Sequence, residues 1–190
     1  MRYFIHMLAF HVFLSASSLV AVSEEEVKTC PFVYEARPPS AEDGLRNCTW
    51  YSQYSCCKRT EVTSVFQGML PLDTPSGMDV AKARHCRNLI NYMMCYFCDP
   101  NQANWYTTTV QICQPFCADV YTYCGEAAYN GVTIADSFAS GEEFCAAQMF
   151  TVVQGESGCF KFDPTVFDSS PTVAGSVLTF FLCLLSNLLV

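Results

Sequence analysis

Cysteine is the residue that most constrains how this chain can fold, because 13 of its 190 residues are cysteines. One of them, Cys183, lies in an apolar C-terminal run, and the other twelve lie between residues 30 and 159. In an oxidising compartment these twelve can close six disulfides, which predicts a secreted, disulfide-rich domain. The twelve are Cys30, Cys48, Cys56, Cys57, Cys86, Cys95, Cys98, Cys113, Cys117, Cys124, Cys145 and Cys159.

The N-terminus has the features of a secretory signal peptide. Arg2 precedes an apolar run over residues 7–14, and small residues precede an acidic triplet that starts at Glu24. Ala21 and Ser23 then occupy the positions where signal peptidase requires small side chains. An N-terminal membrane anchor is the alternative, but this run is shorter than the roughly 20 residues that a spanning helix needs. We therefore expect cleavage before Glu24.

The C-terminus resembles the signal for a glycosylphosphatidylinositol (GPI) anchor. Val177–Val190 is apolar and uncharged, and mostly small or polar residues precede it over 167–176. This combination predicts transfer to a lipid and loss of the tail, including Cys183. A site at 174–176 or a short tail-anchor helix stays open as an alternative. The preferred attachment sites are Asp168, Ser169 and Ser170.

The length and the two terminal signals predict a single domain. We expect a signal peptide at residues 1–23, a cysteine-rich ectodomain at 24–168 and a removed anchor signal at 169–190. The ectodomain should be mainly α, an irregular α+β fold with little sheet. Its strand signals are Thr107–Val110, and a hairpin in which Met149–Val153 pairs with Cys159–Phe162.

Three helices are predicted from periodicity and capping. One begins near Ser76, where Ser76 to Asp79 has the form of a capping box, and its apolar face runs from Val80 to Phe97. A second covers Gln114–Cys124, where proline at the second position is tolerated in the first turn. A third is capped by Ser140.

Charge and histidine content exclude several function classes. The formal net charge is -8, and an acidic surface disfavours binding to nucleic acid or to anionic lipid surfaces. Only His85 remains after signal cleavage, so neither a metal site nor a catalytic triad is expected, and we predict no cofactor and no enzymatic activity. One glycosylation sequon begins at Asn47, although the cysteine in its middle position can interfere with modification.

The cysteine spacing resembles the folate receptor family over about residues 30–164. Seven residues, among them Trp50, separate Cys48 from the Cys56-Cys57 pair. Cys95 and Cys98 are followed by a turn, Asp99-Pro100-Asn101, that is similar to the family's C-S-P-N turn, with Trp105 after it. Cys113, Cys117 and Cys124, and the closing segment 158–164, also match the family pattern.

This resemblance implies disulfides and ligand contacts. The implied pairs are Cys30 with Cys56, Cys48 with Cys95, and Cys57 with Cys98; the other six cysteines are left unassigned. In the family an acidic residue after the double cysteine holds the pterin ring, and Glu61 is the matching residue, although a solvated glutamate at a helix start is an equal alternative. The expected ligand-binding residues are Glu61, Phe66, Trp105 and Tyr121.

The chain also departs from the family. Where family ligand binders have paired tryptophans, this chain has Val120 and Tyr121, and residues 125–138 contain neither tryptophan nor a basic residue. Two functions therefore stay open: a GPI-anchored surface receptor for folate or a related heteroaromatic vitamin, or a surface adhesion module that binds another protein. An aromatic-lined cleft near Glu61 would favour the first, and a filled or shallow groove the second.

Overall fold

The structure is a computed structural model that describes residues 28–32, 36–68, 72–129 and 131–168. The expected signal peptide and the whole anchor signal at 169–190 lie outside the described residues, and of the expected attachment sites only Asp168 is described. Within the described residues, no helix is long and apolar enough to cross a membrane.

Helices form most of the regular structure, as predicted. The α-helices are α1 (Arg59–Gly68), α2 (Val80–Met94), α3 (Gln114–Cys124), α4 (Ile134–Ser137) and α5 (Gly141–Ala147). Short 3-10 helices cover Thr49–Tyr51, Tyr96–Cys98, Gln102–Asn104 and Pro164–Phe167.

Capping decides where these helices begin. Helix α3 covers the predicted residues, and Ser140 caps α5 by accepting a hydrogen bond from the backbone N–H of Glu143 at 3.2 Å. The predicted start at Ser76 was wrong, because Asp79 is the N-cap of α2 and accepts from the backbone N–H of Lys82 at 2.9 Å. Since the N-cap lies three residues later than predicted, Val80 is in the first turn of the helix and is 81% exposed, not part of the apolar face.

The described strands are short: β1 (Gln111–Cys113), β2 (Ala128–Tyr129), β3 (Val132–Thr133) and β4 (Thr151–Val153). Strand β1 pairs in parallel with β4, and β2 pairs antiparallel with β3. The predicted hairpin was wrong, because Phe160 pairs with Ile112 of β1 instead of with β4. The glycine-containing loop at 154–158 carries the chain from one edge of β1 to the other. The predicted strand at Thr107–Val110 is irregular, and only Val110 forms a bridge, with Tyr106.

Six disulfides connect these elements. The three implied pairs, Cys30–Cys56, Cys48–Cys95 and Cys57–Cys98, are all present. The remaining pairs are Cys86–Cys124, Cys113–Cys159 and Cys117–Cys145. Because Cys56 and Cys57 bind partners 26 and 41 residues away in sequence, they hold the N-terminal segment and the 3-10 helix after α2 at one point.

The largest apolar core lies between α2, α3, α5 and the β1 and β4 strands. Helices α3 and α5 pack closely at Gly141, where a Cβ atom would overlap the Cys117 carbonyl group. A smaller core, which includes Leu45 and Val62, lies between α1 and the disulfides of Cys48 and Cys57.

Candidate functional site

The Glu61 side chain forms hydrogen bonds to other residues of the domain. Its Oε2 atom accepts hydrogen bonds from Arg37 Nη2 at 2.7 Å and from the backbone N–H of Lys58 at 2.6 Å. The first contact ties the N-terminal segment to α1, and the second satisfies a free N–H group at the helix start. The structure therefore places this side chain as a helix cap and ion-pair partner.

Phe66 lines a separate cleft of about 500 Å³ beside α1, which we call the Phe66 cleft. It is the one aromatic residue there. The residues that line the cleft are Gly44, Arg46, Asn47, Arg59, Val62, Thr63, Phe66 and Gln67.

Tyr121 and Trp105 lie in other parts of the molecule. The Tyr121 hydroxyl donates to the Phe138 carbonyl at 3.0 Å, which joins α3 to the segment after α4. Trp105 is buried and lines a cleft of about 330 Å³ that contains neither Glu61 nor Phe66. The four predicted ligand residues are thus not brought together in one of these clefts.

The cleft that contains Trp105, here called the Trp105 cleft, combines aromatic rings with a carboxylate. Tyr92 and Phe160 stack with centroids 5.3 Å apart and planes 13° apart, and the Trp105 ring lies 5.3 Å from Phe160. Asp99 opens into the same space. The complete lining is Tyr92, Asp99, Asn101, Asn104, Trp105, Glu156, Gly158, Cys159, Phe160, Lys161 and Asp163.

Two local donors position the Asp99 carboxylate. Oδ1 accepts from the backbone N–H of Asn101 at 2.7 Å, and Oδ2 accepts from Trp105 Nε1 at 3.3 Å. Burial raises the pKa of Asp99, although these two hydrogen bonds oppose the shift. Each carboxylate oxygen keeps a lone pair that can accept a second hydrogen bond. The site therefore holds a partly desolvated acceptor beside flat rings, a combination that marks a candidate binding site.

Trp50 and Tyr51 are two further polar side chains near this cleft. Trp50 stacks on Tyr92 with centroids 5.6 Å apart. Nε1 of Trp50 and the hydroxyl of Tyr51 are buried and make no hydrogen bond of good geometry in the part of the chain that the structure describes, although the Tyr51 hydroxyl lies close to Tyr92 and Trp50. Burial, followed by the charge of Asp99, raises the pKa of Tyr51. Burial also raises the pKa of Tyr92 to about 12. Both hydroxyls therefore keep their protons at neutral pH.

His85 lines a larger cleft of about 930 Å³ between α2, α3 and the C-terminal 3-10 helix. Its ring packs edge-on against Tyr123, with centroids 4.3 Å apart, and against Phe162 at 5.8 Å. These contacts pack the His85 ring against α3 and the segment that follows Cys159. Among the described residues, no group of histidines, cysteines and carboxylates could hold a metal ion.

Comparison of the sequence with known proteins identifies the family of this chain. The sequence pattern of the folate receptor family matches residues 29–176. The chain belongs to the folate receptor family. A riboflavin-binding protein of Gallus gallus is 28% identical over 123 residues, which cover 58% of this chain and 52% of that protein. One of Dromaius novaehollandiae is 27% identical over 96 residues, 45% of this chain and 40% of that protein.

The match confirms the predicted family and its small, mostly helical, six-disulfide fold. The chain spans about half the length, or less, of the two relatives that it matches. Both relatives are named as binding proteins, not as enzymes.

Asp99 is the candidate site residue that the sequence analysis missed. It was noted only as part of a turn similar to C-S-P-N. A signal was present, because this chain has a carboxylate where the family turn has a serine. Burial could not be derived from that position alone, since it depends on Tyr92 and Trp105 closing around the turn.

Proposed function

We propose that this chain is an extracellular binding protein for a flat heteroaromatic vitamin, held in the Trp105 cleft. The observation that carries the proposal is the buried Asp99 carboxylate between aromatic rings in a cleft of about 330 Å³. Membership of the folate receptor family and the similarity to riboflavin-binding proteins support the ligand class.

The chemistry of the cleft suits the edge of a pteridine or flavin ring. Such a ring has N–H groups along one edge, and the free lone pairs of Asp99 can accept them in charge-assisted hydrogen bonds. Tyr92, Trp105 and Phe160 line the cleft but are at most 6% exposed, and Trp50 and Phe160 both stack on Tyr92. A bound ring would therefore contact their accessible edges. Asn101 and Asn104 supply polar groups for the ligand's substituents.

Charge favours a neutral vitamin over folate. Asp99, Glu156 and Asp163 line the cleft with one cation, Lys161, and Lys28 lies close enough for its charge to act on Asp99. The whole chain carries a formal charge of -8. The two carboxylates of folate would meet a negative surface, whereas riboflavin carries no charge at neutral pH.

Titration of the oxidised ectodomain, residues 24–168, with riboflavin and with folic acid tests this function. Riboflavin fluorescence should be quenched saturably with one site per chain, because contact with tryptophan and tyrosine side chains quenches the flavin. Folic acid should bind more weakly, and added salt should reduce the difference by screening the repulsion. Absence of saturable quenching by a folded domain would refute vitamin binding.

We also propose that the protein is held at the cell surface by a GPI anchor attached at Asp168, Ser169 or Ser170. The sequence of the C-terminal segment supports this proposal. Treatment of intact cells with phosphatidylinositol-specific phospholipase C should release the protein into the medium, and full retention would contradict the anchor.

Recognition of another protein is the second candidate function. It is favoured by Glu61, the residue expected to hold a pterin, which is engaged by Arg37 and by the backbone of Lys58. The cleft beside α1 also has Phe66 as its one aromatic residue. Failure of both vitamins to bind the folded domain would support this function.

A further inference from the structure

The folded domain leaves the Asn47 side chain free to carry a glycan. Asn47 and Thr49 are both exposed. The Asn47 carbonyl accepts a hydrogen bond from Asn91 Nδ2 at 2.8 Å, which ties this turn to α2. The side-chain amide of Asn47 makes no hydrogen bond to the part of the chain that the structure describes, so its nitrogen is available.

Cys48, in the middle of the sequon, does not prevent modification if the glycan is added before the disulfide forms. Its partner, Cys95, lies 47 residues later in the chain. At a synthesis rate of roughly 5 to 20 residues per second, Cys95 follows Cys48 by about 2 to 10 s. During that interval the sequon is extended and the Cys48 thiol has not met its partner.

The Phe66 cleft, which Asn47 itself lines, has the chemistry of a sugar site. The half-buried Phe66 ring supplies apolar surface for the C–H face of a hexose, and the buried Val62 lies at the base of the cleft. Arg46, Arg59 and Gln67 supply donors for hydroxyl and N-acetyl oxygens, and neither guanidinium donates to another described residue. The volume of about 500 Å³ is ample for one N-acetylhexosamine.

We propose that Asn47 carries an N-linked glycan and that its first N-acetylglucosamine lies in the Phe66 cleft. The sugar covers the half-buried Phe66 ring and fills the space beside α1. This assigns Phe66 a role different from the predicted ligand contact and leaves the Trp105 cleft free for the vitamin. The inference does not depend on the proposed function.

Expression of the full chain in cultured animal cells tests the modification. Digestion of the denatured protein with peptide-N-glycosidase F should remove the mass of one glycan. Thr49→Ala should abolish that loss, whereas Thr49→Ser, which keeps the sequon, should retain it. An unchanged mass after digestion of the wild-type protein would overturn the proposal.

The rate of digestion under native conditions tests the position of the sugar. A packed first sugar protects its bond, so the folded wild-type protein should lose its glycan several-fold more slowly than Phe66→Ala. Val65→Ala, a neighbouring change in α1 outside the cleft, should match the wild type. Gln67→Ala, at an exposed position that lines the cleft, should also accelerate removal without disturbing the core. Equal rates in the wild type and in both cleft variants would overturn the packed sugar.

Discussion

Arg37 Nη2 donates to Glu61 Oε2 at 2.7 Å and to the Cys56 carbonyl at 2.7 Å. One guanidinium thus joins the N-terminal segment, the double cysteine and the first turn of α1. Residues on either side are fixed as well, because Cys56 is bonded to Cys30 and Cys57 to Cys98. Glu61 therefore belongs to the framework of the domain.

Glu61→Ala should destabilise the protein by about 1 to 2 kcal/mol, since it removes a helix cap and a partly exposed ion pair. Guanidinium unfolding monitored by circular dichroism measures the loss. Glu126→Ala is the matched control, because it removes a surface ion pair, Glu126 to Lys82 Nζ at 2.6 Å, without a cap. That variant should change the free energy of unfolding by less than about 1 kcal/mol. Equal effects of both variants would contradict a framework role for Glu61.

Met149 follows α5 in a left-handed conformation with φ of 68°, and its side chain is 85% exposed. This conformation costs a residue with a Cβ atom roughly 1 to 2 kcal/mol. Met149→Gly should therefore stabilise the protein by up to about 1 kcal/mol, seen as a higher thermal midpoint. Gln148→Gly, at a position with φ of -85°, should not stabilise it. A lower thermal midpoint for Met149→Gly would contradict the proposed backbone strain at Met149.

Removal of the Cys113–Cys159 disulfide should cost about 2 to 5 kcal/mol. The bond closes 46 residues and holds the segment that contains Phe160 against β1. Because Cys159 lines the Trp105 cleft, the double alanine variant should also weaken vitamin binding. Unfolding in denaturant and a riboflavin titration measure the two effects. Unchanged affinity for riboflavin would show that the segment containing Cys159 and Phe160 does not shape the binding site.

The pKa shifts of Asp99 and Glu42 predict opposite dependences of stability on pH. Burial raises the pKa of Asp99 above 3.8, so between that value and the raised one the folded state holds a proton that the unfolded state has lost. Stability then falls as pH rises through this window. Comparison of the wild type with Asp99→Asn across the acid range isolates this contribution, which the variant lacks.

Glu42 gives the contrary sign and serves as the control. Its carboxylate accepts from the backbone N–H of Arg59 at 3.0 Å and from Lys58 Nζ at 3.2 Å, and these contacts lower its pKa below 4.5. Its contribution is present above pH 4.5 and is lost as pH falls through the lowered value. Glu42→Gln should therefore remove a part of the stability that is lost on acidification, whereas Asp99→Asn removes a part that is lost as pH rises. If both carboxylates made the protein more stable as pH rises, the result would contradict the raised pKa of the buried Asp99.

The sequence predicted the features that depend on local patterns. The Gln114–Cys124 helix and the Ser140 cap follow from periodicity and side-chain chemistry, and three disulfides follow from the family spacing. The start of α2 was missed because Ser76 and Asp79 are both good caps, and only the tertiary fold decides between them. The hairpin failed because β1, which is distant in sequence, lies between Val152 and Phe160.

The candidate site was harder to predict, since it depends on contacts between distant residues. Trp105 was identified from its position after the cysteine turn, and it does line an aromatic cleft. The carboxylate in that cleft, Asp99, follows from no periodicity and from no match to the family's acidic residue. It is recognisable only once Tyr92, from α2, and Phe160, from the closing segment, are seen beside it.

Riboflavin titration of Asp99→Asn and Glu61→Ala side by side tests the central claim most directly. The Asp99 variant replaces the acceptor with an amide and should weaken binding by at least about tenfold, as expected when a charge-assisted hydrogen bond worth 1.5 to 3 kcal/mol is lost. The Glu61 variant should bind with nearly wild-type affinity while it remains folded. Loss of binding in Glu61→Ala with Asp99→Asn unaffected would contradict the account and place the vitamin beside α1.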